Sequence, residues 1–165
     1  MQILLLIATI LALLGLVSAA KPTPEEGVQF QEAFAQEEGV VKTASGLLYK
    51  VLEKSSQEGA KRPTKHSQVQ VHYKGTLIDG SEFDSSYKRG QPATFPLSGV
   101  IAGWTEGVQL MHEGDKFQFV IKPDLAYGER AMGSILPASS TLVFEVELLQ
   151  VQSKWAKDEE AKEEL

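Results

Sequence analysis

The sequence predicts an α+β fold in which an antiparallel sheet wraps around one short helix. Apolar residues recur with a period of two at Val69, Val71 and Tyr73, at Phe117, Phe119 and Ile121, and at Leu142, Phe144, Val146 and Leu148, the mark of strands with one buried face. An Asp79-Gly80 pair follows the first run and marks a tight turn into a partner strand, since both residue types tolerate positive backbone angles. Ser98–Met111 changes to a helical period, with Val100, Ile101, Trp104, Val108 and Met111 recurring every three or four residues. Antiparallel strands and one helix must bury their apolar faces against each other, which is the α+β arrangement.

The elements follow in chain order. With 165 residues the chain holds one ordinary domain and short extensions. Ile3–Val17 is uncharged and apolar, too short for a membrane span, and runs into Ser18-Ala19-Ala20. Residues 1–20 are therefore read as a signal peptide cleaved near Ala19 or Ala20, leaving no stable membrane anchor, although no Lys or Arg precedes the apolar run. Residues 21–45 read as a helical linker: Phe30 and Phe34 lie one turn apart among glutamates, a narrow stripe to pack on the domain or on another subunit. A short helix or flexible lead-in fits the same residues.

Gly46–Glu53 reads as the first strand of a domain over residues 46–151, and Ser55–Lys65 as a loop. The hairpin after Val69 brings Tyr73 near Phe83 and Asp84. Beyond it, Gly90, Pro92 and Pro96 are expected to break any regular element, with Phe95 turned inward. Gly103 and Gly107 would let the helix lie close to the sheet. Leu125–Ser140 is too long for a simple turn and is a candidate binding flap. In the closing strand Leu142, Phe144, Val146 and Leu148 share one face, and Glu145 and Glu147 the other. Residues 152–165 form a charged tail.

Composition removes several functions. The formal net charge of −6 gives no footing for nucleic acid or an anionic membrane. The absence of cysteine removes disulfides, thiol catalysis and thiolate metal sites, and the absence of asparagine removes N-glycosylation. His66, His72 and His112 lie far apart, so no metal or cofactor is expected. Ser85-Ser86 shows no partner base, and Asp115 reads as a turn.

A tyrosine, a phenylalanine and a carboxylate around one concavity suggest an apolar pocket with a few polar anchors; a core strand followed by a polar turn is the plainer reading. Beyond the hairpin, the strings YKGTLIDGSEFDSS, VIAGWTEGVQLM, LAYGER and TLVFEVELL stand in one register from about Gly46 to Val151. In that order and spacing the chain resembles the FKBP family of peptidyl-prolyl cis-trans isomerases. The resemblance implies an FKBP-like sheet around one helix and a proline-isomerising pocket. Its matching positions are Tyr73, Phe83, Asp84, Trp104, Tyr127 and Phe144 as catalytic residues, and Arg89, Phe95, Val100, Ile101 and Leu136 as substrate-binding ones. Trp104 would carry the proline ring, Tyr127 and the Ile101 backbone would bond the peptide, and Asp84 would lie beside the twisting carbonyl or hold Tyr73 and Arg89.

Ala93 stands where the best-known single-domain members have phenylalanine, and Met132 where they have histidine. Alanine after Gln91-Pro92 is similar to the secreted branch typified by macrophage infectivity potentiator (Mip), whose dimerising helical region would be abbreviated here to residues 21–45. The implied partners are proline-containing polypeptide clients and FKBP-class macrolides, with the chain a monomer or weak dimer. Location is the secretory pathway: the endoplasmic reticulum lumen in a eukaryote, since Lys162-Glu163-Glu164-Leu165 resembles a retention signal, and the periplasm or beyond in a bacterium. A non-catalytic holdase using the same groove is the rival function.

Overall fold

The computed structural model of the chain describes residues 21–152. The expected signal peptide and the charged tail beyond Gln152, with its Lys162–Leu165 ending, lie outside the described residues. The first element is helix α1, Pro24–Phe34. Thr23 caps it: its hydroxyl accepts from the Glu26 N–H, and the Glu26 carboxylate accepts from the Thr23 N–H. Pro24 at the first helical position loses no hydrogen bond, because that N–H has no partner in any helix.

Seven strands follow, all paired antiparallel: β1 Val40–Lys42, β2 Leu48–Glu53, β3 Gln68–Leu77, β4 Glu82–Ser85, β5 Ala93–Pro96, β6 Lys116–Ile121 and β7 Leu142–Gln152. Their order across the sheet is β1-β2-β6-β7-β3-β4, with β5 on β3 beside β4's end of the same edge. The closing strand β7 is thus interior, between β6 and β3. Helix α2, Ala102–Val108, crosses the concave face between β5 and β6 in sequence.

Three expectations change. A strand forms at β5 despite its prolines, because β5 is an edge: Pro92 precedes it and Pro96 ends it, where a missing N–H breaks nothing essential. The helix is shorter than its apolar stripe, so Val100 and Ile101 precede it and Met111 follows it. In the β3–β4 turn only Gly80 takes a positive φ, 85°, and its N–H bonds the Leu77 carbonyl.

The sheet buries residues on both faces. Val69, Val71, Tyr73, Leu77, Phe117, Phe119, Phe144, Val146 and Leu148 point into the main core with Trp104 and Val108 of α2. The approach of α2 depends on its two glycines. A Cβ at Gly103 would stand 2.6 Å from Ile121 Cγ2, and one at Gly107 2.6 Å from Phe119 Cε1. On the convex face α1 lays Phe30 and Phe34 against Leu48, Val120 and Val143, so the stripe of α1 packs on its own domain. Burying Phe34 there contributes about 1.5–3 kcal/mol.

Candidate functional site

One cavity, about 310 Å³, opens between the β3–β4 hairpin, the turn leading into α2 and the flap after β6. Its floor is Trp104, only 4% exposed. Three rings meet the indole near right angles: Tyr73 at 5.2 Å and 89°, Phe144 at 5.3 Å and 82°, and Phe95 at 5.8 Å and 89°. Phe83 in turn meets Phe144 edge to face at 5.4 Å. Edge-to-face contacts of this kind set ring edges against ring faces and lock each ring's orientation. The indole N–H has no partner among the described residues.

The hairpin brings two neighbouring residues to this cavity by an irregularity. Adjacent residues of a regular strand point to opposite faces. Here Gly75 pairs with Asp84 and Thr76 with Glu82, so Phe83 is an extra residue with no partner in β3. This bulge is what lets both Phe83 and Asp84 line the cavity. Gly75 makes room for it: a Cβ there would lie 2.7 Å from both Phe144 Cε1 and Phe83 Cζ. Gly75 escaped the sequence reading, yet a glycine within an alternating run is itself a sign of close approach. Gly99, also in the cavity wall, carried no such signal.

Polar groups gather on one side. The Tyr73 hydroxyl donates to Asp84 Oδ2 at 2.5 Å and accepts from Arg89 Nη2 at 2.7 Å, while Arg89 Nη1 pairs with Asp84 Oδ1. Partial burial opposes ionisation of Asp84, but the Tyr73 hydroxyl and the Arg89 guanidinium outweigh it and hold the carboxyl below its usual range. Burial, then the bond to Asp84, raises the Tyr73 phenol. At neutral pH the triad is therefore carboxylate, phenol and guanidinium, closed on itself. It lacks the spare base that hydrolysis would require.

All the site residues read from the sequence line the cavity except Arg89, which stands behind Tyr73 and Asp84, and Leu136, a flap residue buried in the core. Val100 and Ile101 form the lip before α2. The Ile101 carbonyl already accepts from the Trp104 and Thr105 amides, at 2.9 and 3.0 Å. Its N–H is the backbone group it can offer a bound peptide. Tyr127, 38% exposed, hangs from the flap over the opposite rim.

Ser86 does have an imidazole beside it: His72 Nδ1 lies 2.9 Å from Ser86 Oγ. The serine is nonetheless fully buried and accepts from the Tyr73 N–H at 2.8 Å, so it fastens the end of β4 to β3 and is closed to substrate. Asp115 is likewise more than a turn. Wholly buried, it accepts from the Ser55 and His112 amides and from Lys54, pinning the loop after β2 to the start of β6.

The family model described as "FKBP-type peptidyl-prolyl cis-trans isomerase" matches residues 59–149, which hold this cavity and the flap. The chain belongs to that family. A second model, the "domain amino terminal to FKBP-type peptidyl-prolyl isomerase", matches residues 17–51, giving this FKBP chain the N-terminal architecture of the Mip-like branch. Over 138 residues it is 52% identical to the FKBP-type isomerase FkpA of Aeromonas hydrophila, covering 84% of this chain and 50% of the relative. The crystal structure of Escherichia coli FkpA superposes with a TM-score of 0.73 at 48% identity, over 78% of this chain and 58% of that one. A peptidyl-prolyl cis-trans isomerase from Pseudomonas syringae pv. tomato gives 0.73 at 34% identity, over 82% of this chain and 100% of the other. The FKBP chain spans about half the length of the FkpA relative from Aeromonas.

Proposed function

We propose that this chain is a peptidyl-prolyl cis-trans isomerase that accelerates rotation about X-Pro bonds in exported polypeptides. The observation that carries the reading is the Trp104 floor with three rings set on it near right angles, in a site with no accessible nucleophile and base. Rotation of a planar amide is opposed by a barrier of roughly 18–20 kcal/mol, because the twisted form loses conjugation. Twisting also removes much of the amide's charge separation. An aromatic pocket that withholds water disfavours the dipolar planar amide more than the twisted one.

The residues then have distinct parts. Trp104 carries the proline ring, with Tyr73, Phe83, Phe95 and Phe144 as walls. The Ile101 N–H and the Tyr127 hydroxyl hold the peptide on either side of the bond in a bent conformation, Val100 shapes the rim, and Leu136 supports the flap from within the core. Arg89 and Tyr73 keep Asp84 ionised and directed, so its carboxylate acts by position and field. Bringing an event of tens of seconds into milliseconds takes about 10⁴-fold, roughly 5.5 kcal/mol, within reach of shape and desolvation.

The same cavity is the seat proposed for FKBP-class macrolides. The domain division proposed is 1–20 signal peptide, 21–45 N-terminal segment, 46–151 isomerase domain and 152–165 tail. The named relatives are bacterial, which favours the periplasm over the endoplasmic reticulum as the destination. The decisive experiment measures cis-trans isomerisation of a short X-Pro peptide with wild type, Phe83→Ala and Trp104→Ala, each checked for folding. Acceleration that collapses in both folded variants is the expected result. A folded wild type without acceleration defeats the proposal, and suppression of client aggregation would then identify the holdase.

A further inference from the structure

We infer that residues 21–34 are a brace that sets the distance between the hairpin and the flap, and with it the width of the client groove. This rests on the groove described above as the client site. Three contacts tie the segment to the flap and its root. Lys21 Nζ donates to the Ile135 carbonyl at the flap tip, 3.0 Å away. Gln31 Nε2 donates to Thr141 Oγ1 at 2.8 Å, where the flap re-enters the sheet. Gly27 lies so close to that root that a Cβ would stand 2.6 Å from the same hydroxyl.

The other end of the brace is fixed independently. Phe30 and Phe34 are held on the convex face by Leu48, Val120 and Val143, and Ile78 of the hairpin tip packs into the same cluster. One segment therefore touches both walls, the hairpin carrying Phe83 and Asp84 and the flap carrying Tyr127 and Leu136. A second cavity of about 260 Å³ lies where the three meet, bounded by Lys21, Glu82, Phe83 and Ile135 among others. Phe83 is the partition between this space and the client cavity.

The flap has one anchor of its own in the core, Leu136, and the brace holds the tip beside it at Ile135. Within itself the flap is tied by the Ser139 N–H to the Gly128 carbonyl at 2.9 Å and by the Met132–Leu136 pair of backbone bonds. Those bonds shape the loop but do not fix its distance from the hairpin. Lys21, Gln31 and Thr141 are thus positioning residues, acting through the placement of Tyr127 and Leu136.

The test uses the full chain carrying Lys21→Ala, Thr141→Val or both, beside the conservative Lys21→Arg and Thr141→Ser, which keep a donor and a hydroxyl. Peptide isomerisation and amide hydrogen exchange are read together. The double variant is expected to raise KM about fivefold with kcat within about twofold, because the Trp104 floor is untouched. Exchange at Ser139 and Leu136 should quicken about tenfold while amides of β6 hold their rates. Both conservative variants should stay near wild type. Kinetics and flap exchange unchanged in the double variant would overturn the brace, as would equal quickening throughout the sheet. Should Thr141→Val fail to fold, the exposed Lys21→Ala alone decides, by the same exchange readout. A wild type without isomerase activity would count against the functional reading, and flap exchange would still judge the brace.

Discussion

The two faces of the sheet are each covered by one helix, yet the covers work differently. On the concave face α2 approaches through Gly103 and Gly107, backbone against side chain, and the room left at its N-terminal end becomes the cavity. On the convex face α1 comes close only at Gly27, beside Thr141, and over its C-terminal half stands off on the rings of Phe30 and Phe34, packed on Leu48, Val120 and Val143. Strand β7 serves both: Phe144 faces the cavity and Val143 faces α1. The lesson is that a cavity persists where a helix is held close by small residues and large rings stand around its end. A solid cluster results where the rings themselves are the spacers.

Substitutions on the two faces should therefore separate chemistry from stability. The largest effect expected is from Trp104→Leu, which keeps apolar volume but removes the floor: kcat/KM should fall about a hundredfold, near 2.7 kcal/mol, in the peptide assay. Comparable loss from a convex-face change would erase the distinction. Leu48→Ala, beneath α1, should lower unfolding free energy by about 2–5 kcal/mol in denaturant titration. Its isomerisation rate at a temperature where it is folded should stay within about threefold of wild type. Gly75→Ala sharpens the contrast from the concave side. It wedges Phe83 from Phe144, at about 1–3 kcal/mol in stability and about tenfold in kcat/KM.

The smallest effect is on pH. Asp84 and Asp115 both have carboxyls held below the usual range; for Asp115 burial opposes ionisation but the Ser55 amide, Lys54 and the His112 amide prevail. Each contribution to stability is complete above the unfolded carboxylate value near about 4 and is lost as pH falls through the lower folded value. Activity should be level from about pH 5 to 8 and decline only in acid. Asp84→Asn should remove Asp84's share of that acid decline while Asp115 still titrates; an activity step near neutrality in wild type would contradict the site as drawn.

Much of this was legible in the sequence, because β3 alternates cleanly and β7 does so through Phe144–Leu148, and a period-two pattern states which face is buried. The hairpin, the flap and the cavity-lining aromatics followed from those strands and from the strings that carry the family resemblance. What escaped reading were the departures from regularity. The prolines flanking β5 spoke against a strand, and only its place at an edge makes them harmless. The bulge at Phe83 cannot be seen in EFDS, since it is a relation between two strands. The cover of the convex face was half visible as Phe30 and Phe34, but its target required knowing that Val120 and Val143 lie side by side in β6 and β7.

The place of β7 bears on how the chain folds. It is the last described strand in sequence but lies inside the sheet, bonded to β6 on one side and to the whole length of β3 on the other. A chain emerging N-terminus first holds β3 and β6 with open edges until residue 152 is free, and pairings that distant in sequence form slowly. Closure of the sheet thus comes at the end, and until β7 is inserted the hydrogen-bonding edges that β3 and β6 turn toward each other have no partner.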